Sequence, residues 1–179
     1  MEEWRELART VPGTLLRVAE GTIGMLGTLD SAQQALAALI RLALSLLRGD
    51  AAAIAINRDE VREQPDARAT LDDARRALVR LRELHDTTWA RHHGETSRHG
   101  SRALESLRSA ASHFLASKDA LLMVRSLARQ SPEWMAWVSA ALNLLRRAVW
   151  AATKARLAAR RMRDAVAVEL EDASRVLNR

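Results

Sequence analysis

No cysteine occurs among the 179 residues, which excludes disulfides, thiolate metal sites, iron–sulfur clusters and cysteine nucleophiles. Tyrosine is also absent, phenylalanine occurs once, and five tryptophans complete the aromatic set. A core this poor in aromatics has to be built from Leu, Ala, Val, Ile and Met. Lysine is nearly missing: only Lys118 and Lys154 stand beside 26 arginines. Basic charge is therefore carried by planar guanidinium forks that suit phosphate or carboxylate and stay protonated when partly buried. No hydrophobic run is long enough to span a bilayer; the best, Ala32 to Leu47, is interrupted by Gln33, Gln34, Arg41 and Ser45. The start, Met-Glu-Glu-Trp-Arg-Glu, has no basic stretch followed by an apolar one, so no signal peptide is expected. A soluble, cytoplasmic protein is the expectation. Gly-rich phosphate loops, His-Glu-x-x-His, nucleophile elbows and carboxylate-rich di-metal patterns are all missing, so no enzyme class is the default.

What is present is helical periodicity. The chain is long enough to bury roughly 70% of its unfolded surface. Its 48% hydrophobic and 28% charged residues exclude a disordered polymer. A short amphipathic piece runs over Glu2 to Arg9, and Pro12 suits the first turn of a second helix ending near Leu29. Asp30 and Ser31 read as caps of a third helix through Ala35, Leu36, Ile40, Leu44 and Leu47, with a stop at Gly49-Asp50. The pattern lapses over 49–66, a long connection with at most an extra helical turn. Thr70 to about His93 is a strong helix with Leu71, Ala74, Leu78, Leu81 and Leu84/His85 at core spacing. Another starts between Ser97 and Ser101 and reaches about Gln130. Ser131-Pro132-Glu133 supplies a cap, a first-turn proline and a first-turn acid. The last helix runs from there to about Leu177, roughly 65–70 Å at 1.5 Å per residue. No strand alternation, fixed-period repeat or low-complexity stretch occurs. The expected fold is all-α, a single-domain bundle over 1–179 of five or six helices with a long C-terminal one. Gly21, Gly24 and Gly27 recur every third residue, which predicts close approach by a neighbouring helix backbone.

Charge is segregated along the chain. Residues 1–73 carry net −4, residues 74–163 net +12 and residues 164–179 net −2, and all five histidines fall in the middle segment. Two concentrations stand out there. One is the turn region with Arg91, Arg98 and Arg102, interleaved with His92, His93 and His99. The other is Arg146, Arg147, Lys154, Arg156, Arg160, Arg161 and Arg163, with no acid among them. At 100° per residue the last five cover about half of a helix circumference, opposite Ala155, Ala158, Ala159 and Met162. Such a surface suits a phosphate backbone, where each neutralised phosphate adds salt-dependent affinity through counterion release. The rival is internal neutralisation by the acids of residues 1–73.

Specific chemistry has thinner carriers. Arg108-Ser-Ala-Ala-Ser-His113 has Arg-x4-His spacing and in that resembles the catalytic motif of HEPN ribonucleases, helical bundles in which the Arg and His of two protomers meet to cleave RNA. Ser109 stands where that family carries Asn, Asp or His, and Arg80 to His85 repeats the spacing. His113 is flanked at −4, −3, +3 and +4 by Ser109, Ala110, Ala116 and Ser117, all small, so it could ligate haem or another porphyrin in a bundle, natural or designed, with Arg102 or Arg108 reaching propionates. His85 and His92 are seven apart and too far along a helix to chelate directly, so no metal site is expected. Trp134, Trp137 and Trp150 on the last helix are spaced for core or oligomer contacts. The leading expectation is a non-catalytic module that engages nucleic acid or another polyanion, an acidic protein surface included, through Arg-rich helix surfaces. Its binding residues would be Arg147, Lys154, Arg156, Arg160, Arg161 and Arg163, with Arg91, Arg98 and Arg102 as a second patch. The alternatives are a haem-binding bundle centred on His113 and a protein-interaction or homo-oligomerisation module using Trp134 and Trp137.

Overall fold

A computed structural model describes residues 2–89, 94–128 and 131–177, with side chains over 6, 10–88, 94–128 and 131–175. All regular structure in these residues is helical. Four long helices, α1 (Glu2–Arg48), α3 (Ala67–Trp89), α4 (Glu95–Ser126) and α5 (Pro132–Leu177), accompany a short one, α2 (Ala51–Glu63). The all-α class expected from periodicity holds, while the division of the chain into helices differs from expectation. Among the described residues no helix is long and apolar enough to cross a membrane.

The largest difference is α1. Where three pieces are expected, one 47-residue helix forms, with Pro12 inside it. Proline removes one backbone donor there, and the helix continues on either side. Asp30 and Ser31 are not caps. Ser31 turns its hydroxyl back onto the Gly27 carbonyl at 3.5 Å, and Thr14 and Thr22 make the same one-turn bonds to Thr10 and Val18. Small hydroxyl residues that satisfy themselves on the preceding turn stay in a helix interior instead of starting a new one. The stop at Gly49 is where it was expected, with φ at +68° in the left-handed region that glycine enters without strain.

The 49–66 span holds helix α2, capped by Asp50, whose carboxylate accepts from the Ala53 amide at 3.1 Å. Helix α3 starts three residues before the expected Thr70, because Asp66 accepts from the Arg68 amide at 2.9 Å. At α5 the expected signature is realised: Ser131 Oγ accepts from the Glu133 amide at 3.3 Å, and the helix runs unbroken for 46 residues.

Two compact units emerge, each taking segments of α1, α3, α4 and α5. Unit 1 comprises residues 1–26, 76–108 and 152–179. Its core joins Leu15, Val18 and Ala19 of α1 to Leu104 of α4 and to Met162 and Val166 of α5, with Leu78, Leu81 and Leu84 of α3 packed against them. Unit 2 comprises residues 27–75 and 109–151. It buries Leu29 and Leu36 of α1, Leu71 of α3, Phe114 of α4 and Val138 of α5, and the buried Ser117 hydroxyl donates to the Ala141 carbonyl at 2.8 Å. Of the 34 buried hydrophobic positions among the described residues 17 are alanine, so half of the buried apolar positions carry methyl-sized side chains.

The glycine series has a different meaning from the one expected. A Cβ at Gly21 would run into the end of the Leu81 side chain, not a backbone, and at Gly24 and Gly27 it would meet nothing within 4 Å. The close approach is at Gly100 of α4 instead, where a Cβ would stand 2.8 Å from the His85 ring and 3.1 Å from Met162 Cε.

Candidate polyanion interface

Charge divides unevenly between the units. Unit 1 holds 17 basic and 12 acidic residues, net +5, whereas unit 2 holds 11 and 10, net +1. Within unit 1, α5 is organised as its sequence implies. Ala155, Ala159, Met162 and Val166 are fully buried, at the one-turn spacings that define a single face. Lys154, Arg160, Arg161 and Arg163 are exposed on the remaining circumference, and Arg156 is half-buried. Arg163 lies 3.6 Å from its neighbour Asp164, while Lys154 and Arg156 are both engaged with other groups. Arg160 and Arg161 form no ion pair among the described residues.

On α4 of the same unit, Arg98 and Arg102 are exposed one turn apart and likewise form no ion pair among the described residues. Arg91, His92 and His93 lie outside the described residues. His99 stands 3.6 Å from Glu95. Among the described residues no three His, Asp or Glu side chains converge on one point.

Arg102 also lines a cavity of about 480 Å³, together with Arg82, Arg108, Asp86, Glu105 and His85. Sequence reasoning picked out neither Arg82 nor Arg108 for this surface. The one usable signal was the i, i+3, i+6 run of Arg102, Glu105 and Arg108, which puts all three on one side of α4. His85, buried beneath, has Nε2 at 3.0 Å from the Ser97 carbonyl oxygen. A carbonyl only accepts, so Nε2 donates and the ring is held in place. Its Nδ1 lies 3.5 Å from Asp86, which also sits 3.9 Å from Arg82.

Two of the N-terminal acids are paired within their own segment. Glu60 takes a two-pronged pair from Arg41, with Nε to Oε2 at 3.2 Å, and Asp59 pairs with Arg62 at 3.6 Å, all within residues 1–73. Glu6 and Glu20 of unit 1 are exposed and form no ion pair among the described residues.

The remaining candidates fall in unit 2. Arg147 is exposed and forms no ion pair among the described residues. His113 is half-buried and lines neither that cavity nor the larger one of unit 2. The small residues beside it are used for helix packing, since Ala110 and Ser117 are buried and Ser117 bonds across to α5. Trp134 is buried, whereas Trp137 and Trp150 are exposed. Comparison with protein families, with curated proteins and with solved structures finds no match to this chain.

Proposed function

We propose that the protein is a non-catalytic helical module that binds nucleic acid through the arginines of unit 1. The observation that carries the reading is that Arg98, Arg102, Arg160 and Arg161 are exposed without an ion pair among the described residues, in the unit holding +5 of the net +6. Two of these lie one turn apart on α4 and two are adjacent on α5. Guanidinium groups so placed are free to fork onto phosphate oxygens at no cost in internal pairs. Contacts of this kind position a backbone without reading its sequence. The expected ligand class is therefore DNA or RNA bound with weak sequence preference.

Fluorescence anisotropy with a labelled random-sequence duplex and a labelled single-stranded RNA tests this. R98E/R102E and R160E/R161E should each weaken binding about tenfold or more at low salt, since each pair removes two phosphate contacts and adds repulsion. Arg62→Glu, at an exposed position of the acidic segment, should leave affinity within about twofold. Equal affinity of all four proteins, or binding of acidic polypeptides but of neither nucleic acid, contradicts the proposal.

A further inference from the structure

The larger cavity, about 650 Å³, lies wholly in unit 2 and takes no part in the arginine surface of unit 1. Its size falls within the about 300–1,000 Å³ typical of small-molecule sites. Its walls are mainly apolar, with Leu39 and Leu42 of α1, Leu121 of α4 and Trp134 at the start of α5 in the lining. Leu122, also in the lining, is half exposed, so the apolar surface continues to solvent.

Charge at this cavity is of mainly one sign. Arg68, Lys118 and Arg125 contribute to the lining, and Asp66 is its single acid. Asp66 is already committed, because its carboxylate caps α3 by accepting from the Arg68 amide at 2.9 Å, where the helix N-terminus offsets its charge. Lys118 and Arg125 form no ion pair among the described residues. Beside the cavity, Trp134 is buried at the start of α5, and its Nε1 has no hydrogen-bond partner among the described residues. Buried indole donors are normally satisfied.

An apolar interior with cations in its lining calls for a ligand with a hydrocarbon body and an anionic oxygen head. We infer that the cavity binds a single-chain amphiphile of this kind, with the carboxylate of a medium- to long-chain fatty acid held by Lys118 and Arg125. Its chain would lie against Leu39, Leu42 and Leu121.

Isothermal titration with dodecanoate, kept below its micelle concentration, tests the inference on the full chain. Saturable one-site binding is expected. Affinity should rise by up to about fourfold per added methylene from decanoate to tetradecanoate. Dodecanol should bind about tenfold more weakly, having lost the charge-assisted bonds. K118M/R125M, verified as folded by its helical circular dichroism, should bind dodecanoate no better than dodecanol. Absence of saturable dodecanoate binding overturns the inference. So does equal affinity for dodecyltrimethylammonium, or undiminished binding in the double variant. Nucleic-acid binding through unit 1 stands or falls separately.

Discussion

Gly100 and Gly24 both sit inside long helices, and their surroundings give them opposite roles. At Gly100 an added methyl would press on the His85 ring, which cannot retreat because it is buried and bonded to the Ser97 carbonyl at 3.0 Å. Overpacking of this kind costs about 1–3 kcal/mol, more than the roughly 1 kcal/mol that alanine gains over glycine in a helix. Gly100→Ala should therefore lower the melting temperature. At Gly24 nothing lies within 4 Å, so only the propensity gain remains. Gly24→Ala should raise stability by about 0.5–1 kcal/mol, or a few degrees in Tm. Thermal unfolding followed by circular dichroism distinguishes the two, and shifts of the same sign would contradict this account. Three regularly spaced glycines in one segment were the visible signal in the sequence. Gly100, outside that series, is held tight by the His85 ring on another helix, which local spacing cannot reveal.

Among the elements, α2 is held least firmly. It has no buried residue, and its attachments include the Asp50 cap, the Arg41–Glu60 pair and Asn57, whose amide donates to Ser45 Oγ at 3.2 Å and to the Arg41 carbonyl at 3.4 Å. An exposed ion pair is worth about 0–1 kcal/mol and a cap about 1 kcal/mol. The double variant D50A/E60A should raise amide hydrogen exchange across residues 51–63 while leaving that of α1 and α4 unchanged. Exchange that stays slow in α2, or rises equally everywhere, would contradict this view. The same property explains why α2 was hard to read: a helix that buries nothing has no apolar stripe for periodicity to reveal. The continuity of α1 was hidden for another reason. Pro12, Asp30 and Ser31 all carry start signals, and whether a hydroxyl caps a new helix or bonds back one turn is settled by packing on Leu15, Val18, Leu29 and Leu36. Helix α5 was legible in both start and orientation, since its cap is local and its buried face of Ala155, Ala159 and Met162 repeats regularly. The positive face of α5 was visible for the same reason. The two cavities were not, because their linings join residues from separate helices.

For the whole molecule, the modest net charge of +6 hides an asymmetry that the fold redraws. Read along the chain, the positive part is residues 74–163; gathered by unit, it belongs to unit 1, with +5 against +1. The ion pairs of Arg41 and Arg62 spend acids of residues 1–73 on cations of the same segment. Arg98, Arg102, Arg160 and Arg161 form no ion pair among the described residues, and in the proposed function they are the groups that meet an external anion. The salt dependence of binding to random-sequence duplex DNA tests this most directly, because it counts the phosphates neutralised. Four such contacts predict that log K falls with log salt at a slope of about −3 to −4, and that R160E/R161E brings the slope about two units closer to zero. Absence of binding at low salt, or a slope unchanged by that double substitution, would contradict the account.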